Sequence, residues 1–346
     1  MYINIYIIIK FSERKVNFPT KSDKFLFSLE NYNRIKLLSQ KKSEGEIVMK
    51  KVKVITDSCS DLSTEIMEKY GIDYARMMTI QDEKESPALL SWSREEAKKL
   101  YNTIRGGKRI TTTQVPVEEF ISVFRKYLSQ DYDIVYIGCS TKQSGSVNTA
   151  SVISEELLEE FPDSKIYCID SQNASLGEGM LAIEAAKLAN DGYSAEEINE
   201  RIVSIRKNVH QYVTVHTLEH LRKAGRVTAS SAFFGNLMGV KPILISDAEG
   251  TQTAIKKVRG RQNSLNELIE MLKKNITDSE NQTIFVAHAD CDDKEISGFV
   301  ERIKEEIPCQ NVYVGIIGPI IGASIGPDAI GIWGFGETVT HRVKED

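Results

Sequence analysis

Basic residues never cluster in this sequence. Its 44 Lys and Arg stand against 49 Asp and Glu, leaving a formal net charge of −5 spread along 346 residues. Nucleic acid and anionic membrane surfaces both demand concentrated positive charge, so neither is an expected partner. Cysteine is scarce and scattered: Cys59, Cys139, Cys168, Cys291 and Cys309 are odd in number, and none stands in Cys-x-x-Cys spacing. That argues against a disulfide framework and for a reducing cytoplasm. No apolar run reaches the ~20 residues that cross a bilayer, so stable membrane insertion is not expected. Neither a Gly-Lys-Ser/Thr phosphate loop nor a G-x-G-x-x-G turn is present, which removes support for nucleotide binding and for a cofactor of that kind.

The opening stretch MYINIYIIIK is apolar for only nine residues before Lys10, with no preceding positive region and no small-residue cleavage site. Residues 11 to 48 show no sustained periodicity, and a normal strand pattern begins just after Met49. Residues 1–48 therefore read as a translated leader, with Met49 as the native start.

What is present divides into two textures. Three apolar strands (51–58, 133–139 and 165–170) each end in a small-polar stretch and alternate with helical patterns at 118–128, 148–161 and 179–192. Apolar strands alternating with helices predict a parallel α/β sheet, whose ligands bind beyond the carboxyl ends of the strands. From about residue 212 shorter strand-like runs appear with two good helices, which predicts an α+β domain with a mixed or antiparallel sheet. The expected organisation is an N-terminal α/β domain over 49–211 and a C-terminal α+β domain over 212–346.

The turn STKQSGSVNTA, residues 140–150, carries Ser140, Thr141, Ser144, Ser146 and Asn148 around Gly145. Hydroxyls and backbone N–H groups at a helix start suit a phosphate or carboxylate, and simple capping needs only one such oxygen. A second neutral cluster, TTTQVP at 111–116, precedes the helix beginning near Glu118 and could converge on the same ligand. HTLEH, residues 216–220, fits the H-x-x-E-H pattern of inverted zinc peptidases, so a zinc-dependent hydrolase using His216, Glu219 and His220 is the alternative function. The helix available is short, and a pattern of this length arises often by chance. In HADCDD, residues 288–293, Asp292 or Asp293 reads as a helix cap. The glycine-rich GPIIGASIGPDAIG, residues 318–331, reads as a loop that either approaches a ligand or connects strands tightly.

Taken together these stretches resemble the DegV family of bacterial lipid-binding proteins, from about Lys51 to about Glu337. VITDSCSDL looks like the family's opening Thr-Asp-Ser…Asp-Leu strand. TTQVP at 112–116 is similar to its Thr-Ser-Gln-Pro motif, with Thr113 on the serine. STKQSGSVNTA resembles Ser-Ser-x-Leu-Ser-Gly-Thr-Tyr-x-x-Ala, so Ser144 and Gly145 fall on its Ser-Gly. TLEHLRKAGRV looks like its Leu-x-x-Gly-Gly-Arg segment, and KPIL with the GPIIGASIGP loop completes the order. The resemblance implies a carrier without catalytic residues that holds one long-chain fatty acid in a tunnel. Thr113 and Ser144 would hold the carboxylate, with Thr112, Gly145 and Ser324 beside them. It also implies presentation of the bound acid to a separate fatty-acid kinase. The family histidine of the glycine-rich loop is Ser324 here, Asp328 replaces a glycine, and Val147 stands where the family has tyrosine.

The physics is compatible. Burying ~14 methylenes at ~0.8 kcal/mol each gives ~11 kcal/mol gross, enough for the tail to dominate affinity. A buried carboxylate without donors would cost several kcal/mol, and neutral hydroxyls supply donors without an arginine clamp. SAFFGNLMGV, with Phe233, Phe234, Leu237 and Met238, is a candidate tunnel wall or plain core.

Overall fold

The computed structural model describes residues 50–230, 233 and 239–342. The expected leader and the start at Met49 lie outside these residues, as do Phe234, Leu237 and Met238.

Strands β1 (Lys51–Asp57), β2 (Asp73–Ala75), β6 (Tyr132–Gly138) and β7 (Ile166–Asp170) form a parallel sheet in the order β2-β1-β6-β7. In β6 only Tyr132 is not buried, the signature of a central strand covered on both faces. Helices α3 (Val117–Leu128) and α4 (Ser146–Glu160) cover one face, where Phe120, Phe124, Ile153 and Leu157 pack against Ile55, Ile134 and Tyr136. Phe120, Val123, Phe124 and Leu128 make the i, i+3, i+4, i+8 stripe that α3 buries.

Strands β8 (Val209–Thr214), β9 (Val240–Ser246), β10 (Gln252–Arg259), β11 (Thr283–His288), β12 (Asn311–Ile316) and β13 (Ile330–Phe335) form a second sheet, ordered β10-β9-β8-β13-β11-β12. It is mixed: β11 and β12 run parallel, and the other pairs are antiparallel. Helices α8 (Arg261–Asn275) and α9 (Asp293–Glu306) pack on its outer face through Leu265, Leu268, Ile269, Leu272, Phe299 and Ile303. Asp292 caps α9, its carboxylate accepting from the Lys294 and Glu295 N–H groups, as the sequence predicts. The predicted α/β and α+β parts are thus both present, and β8 straddles the expected boundary at 211/212.

Helix α5 (Leu176–Asn190) lies between the two sheets. Its Leu176, Met180 and Leu181 share one core with Val54, Val135 and Ile137 of the first sheet and Val213, Leu244 and Trp333 of the second. A helix packed on opposite sides is apolar nearly all round, and eleven of its residues are buried. Sequence periodicity does not anticipate a further small antiparallel sheet, β4-β3-β5, made of β3 (Met78–Gln81), β4 (Lys84–Pro87) and β5 (Thr111–Thr113). The glycine-rich stretch is a correction of another kind. Residues expected to form a loop fold as helix α10 (Pro319–Ile325), which packs against α2 (Arg94–Arg105), β3, β5 and the short α7 (Glu219–Ala224). Proline at its first position explains the start, since the ring needs no N–H there.

Candidate functional site: a cavity between the two sheets

One cavity is lined by both halves of the chain. From the first come Thr112, Thr113, Gln114, Gln143, Ser144 and Gly145; from the second come Val213, Leu221, Leu244, Ile320, Ile321, Ser324, Ile325 and Trp333. It leaves about 170 Å³ for the centres of water-sized groups. One water needs about 10–15 Å³ by this measure, so the cavity is far larger than a buried-water site. The lining grades from exposed Gln114 to Trp333, which is 1 % exposed.

The polar corner is built by two strand-to-helix junctions. Thr112 and Thr113 end β5, where they pair with Thr79 and Met78, and Pro116 leads directly into α3. Gly145 occupies the cap position of α4 and provides no side-chain capping bond. The two junctions are stitched together: Val115 N–H donates to Ser146 Oγ at 3.2 Å, and Gln114 Nε2 donates to Thr149 Oγ1 at 2.8 Å. A Cβ at position 145 would collide with Gln114 Oε1, so glycine is what lets the junctions touch. Ser144 Oγ lies 3.0 Å from Ser146 Oγ and accepts from Ser146 N–H at 3.3 Å. Thr113 Oγ1 donates to the Gln114 carbonyl at 3.2 Å.

The hydroxyls of the turn divide their labour. Ser140 Oγ donates to the Gly250 carbonyl at 2.8 Å and Thr141 Oγ1 to Asp170 Oδ2 at 2.6 Å, so these two hold loops in place. Neither lines the cavity; Ser144 and Gly145 do. Thr112, Thr113, Ser144, Gly145 and Ser324 therefore all border one space. Phe233 does not. It packs on the core with Lys257 Nζ 5.2 Å from its ring centroid.

Arg226 also borders the cavity, against the expectation of neutral donors alone. Its Nε donates to the Gln143 carbonyl at 3.1 Å and its Nη1 to the Ala224 carbonyl. Deeper in, Gln211 Nε2 donates to Gln252 Oε1 at 2.6 Å, and Trp333 Nε1 donates to Gln211 Oε1 at 3.3 Å. Nothing in the sequence pattern marks these residues, because strands 40 or more positions apart bring them together. Asp61, behind the cavity, ties the halves: its carboxylate accepts from Gly318 N–H at 2.7 Å and from Ser175 Oγ. Burial raises its pKa to about 7 despite both bonds.

His216, Glu219 and His220 do not assemble. Helix α7 starts only at Glu219, so the histidines share no helix face. His216 Nδ1 lies 3.1 Å from Lys241 Nζ, and Glu219 pairs with Arg222 on the surface. They are not among the groups of described residues whose ligand atoms lie within 4.8 Å of one another. His220 instead packs where a Cβ on Gly326 would stand, and a Cβ on Gly322 would fall 2.6 Å from Tyr101 Oη. These two glycines of the expected loop therefore admit protein side chains. Residues 322–326 read Gly-Ala-Ser-Ile-Gly and match the G-x-S-x-G of a nucleophile elbow. An elbow needs the serine at a sharp strand-to-helix turn, whereas Ser324 lies inside α10, one residue before its end.

Among the described residues no helix is long and apolar enough to cross a membrane. A family model described as "Uncharacterised protein, DegV family" matches residues 51–336. A DegV domain-containing protein of Clostridium perfringens is 33% identical over 291 residues, covering 84% of this chain and 99% of its own. Among solved structures, a DegV lipid-binding protein from Thermotoga maritima matches with a TM-score of 0.72 at 26% identity, over 84% of this chain and 100% of its own. DegV of Bacillus subtilis, a fatty-acid-binding protein, matches with a TM-score of 0.71 at 26% identity, over 83% of this chain and 100% of its own. With a family model matched over most of its length and a relative 33% identical over nearly the whole of that protein, the chain belongs to the DegV family.

Proposed function

We propose that this protein binds one long-chain fatty acid in the cavity between its sheets. Its carboxylate is seated among Thr112, Thr113, Ser144 and Gly145, with Ser324 facing them, and its tail lies along Val213, Leu244, Ile321, Ile325 and Trp333. The observation that carries this reading is one cavity that joins the half-buried hydroxyls of Thr112, Thr113, Ser144 and Ser324 to the buried apolar side chains of Val213, Leu244, Ile325 and Trp333. The fatty-acid and lipid binding of the Bacillus and Thermotoga relatives supports it. In this reading the protein is a cytoplasmic carrier that performs no chemistry and presents the acid to a separate kinase. Hydroxyls suit such a role: they satisfy the head group while leaving an oxygen open to a phosphoryl donor, which a bidentate arginine would cover.

Protein expressed in bacteria and extracted with organic solvent is expected to yield a C14–C18 acid by mass spectrometry at about one per chain, the chain length that matches ~11 kcal/mol of gross tail burial. An empty extract, together with no binding of oleate or palmitate, would reject the reading. Loaded protein mixed with a bacterial fatty-acid kinase and ATP should yield acyl phosphate. Binding without turnover would leave the carrier and remove the kinase.

A further inference from the structure

Cys59 lies in the 3-10 turn Ser58–Ser60 after β1, Cys139 directly follows β6, and Glu178 stands in the first turn of α5. β1 and β6 are paired neighbours, so the three side chains meet at the carboxyl edge of the parallel sheet. Their ligand atoms, two Sγ and a carboxylate oxygen, lie within 4.8 Å of one another. The residues are 2 %, 2 % and 0 % exposed. No other such group occurs among the described residues.

A further observation points to a cation. Glu178 Oε1 accepts from Thr56 Oγ1 at 2.8 Å, while its buried Oε2 makes no hydrogen bond of good geometry. A buried, unpaired carboxylate oxygen is costly wherever a native fold retains one. The groups that bear most on the cluster are themselves acidic. Asp57, fully buried, accepts from Cys59 N–H at 2.8 Å and Cys139 N–H at 3.3 Å.

We propose that Cys59, Cys139 and Glu178 form a site for a thiophilic divalent cation of the Zn²⁺ class. Two sulfurs and one carboxylate are a zinc-type donor set, and three protein ligands leave the fourth tetrahedral position free. Cys59 and Cys139 both border the cavity. Binding is an exchange without redox change. Two Sγ–H bonds and the Glu178 O–H bond break, three bonds to the metal form, and three protons pass to solvent. Three anionic ligands then surround a dication, a net charge of −1, and the affinity falls as pH falls.

The test takes the reduced full-length protein, strips it with chelator and dialyses it against Zn²⁺ or Co²⁺ alone. About one ion per chain is expected to remain, and the Co²⁺ form should show thiolate-to-metal charge-transfer absorbance in the near ultraviolet. Cys59→Ser and Glu178→Gln should each weaken retention at least about 100-fold, since each replaces an anionic ligand with a weak neutral oxygen donor. Cys309→Ser, outside the cluster, should retain the ion. No retained ion, a Co²⁺ spectrum lacking the thiolate band, or Zn²⁺ retention surviving in the Cys59→Ser/Cys139→Ser double variant would each overturn the site. Where a variant fails to fold, the Co²⁺ spectrum of the unaltered protein decides alone. Oleate binding is measured separately, so failure of the metal site leaves the lipid reading standing.

Discussion

Thr113 and Ser144 reach one cavity from different junctions, and each offers a donor that a carboxylate would use. A hydrogen bond to a charged group is worth about 1.5–3 kcal/mol, so Thr113→Ala with Ser144→Ala should raise the Kd for oleate by about 100-fold or more. Isothermal titration checks this, and unchanged affinity in the double variant would remove both residues from the site. Asp61 makes a different prediction. Its pKa rises from 3.8 to about 7 on folding, so the folded chain keeps a proton that the unfolded chain releases between those values. Unfolding free energy should therefore fall as pH rises from about 4 to about 7, by a few kcal/mol at most, with no further change from this group above that window. Asp61→Asn keeps an acceptor for Gly318 N–H and cannot ionise. Urea melts across this range should show a shallower slope for the variant; parallel slopes would exclude Asp61 as the source.

Helix α10 is the element on which the site turns. It carries Ile320, Ile321, Ser324 and Ile325 to the cavity, and it belongs to the second half while packing on the small sheet of the first. Gly322 seats it, because the buried Tyr101, donating to the Ile317 carbonyl at 2.7 Å, fills the space of a side chain there. Gly322→Ala gains about 1 kcal/mol of helix propensity but meets overpacking of about 1–3 kcal/mol and risks a hydrogen bond worth about 1. The net expectation is a loss of about 1–3 kcal/mol by chemical denaturation, with weaker oleate binding as the helix shifts; a neutral or stabilised variant would contradict this packing. Long periodic elements such as α3 and α4 were legible in the sequence to within a residue or two. α10 was not, since four glycines and two prolines between 318 and 331 carry loop propensity that tertiary packing overrides.

At the scale of the whole molecule the cavity lies between two sheets that share a single core through α5. A ligand bound there touches both halves and stabilises their association by RT ln(1 + [L]/Kd), about 2.7 kcal/mol at a hundredfold excess over Kd. Saturating oleate should therefore raise the melting temperature by several degrees in a single calorimetric transition. A shift confined to one of two separate transitions would mean that the ligand sits within one half.

Strand and helix periods, together with the hydroxyl-rich junctions at 111–116 and 140–150, were fixed by local chemistry, and local chemistry can be read directly from the chain. They determined the two kinds of sheet and the segments that form the polar corner. Only the tertiary structure decided which hydroxyls face the cavity and which tie down loops, because Ser140 and Thr141 find partners in Gly250 and Asp170, far along the chain. It also brought Gln211, Gln252 and Trp333 to the inner wall and dispersed His216, Glu219 and His220, whose spacing suits a helix that begins too late to hold them together. The physical reason is the same throughout. Backbone conformation answers to neighbours in sequence, while the direction and company of a side chain depend on contacts that close only when the sheets pack.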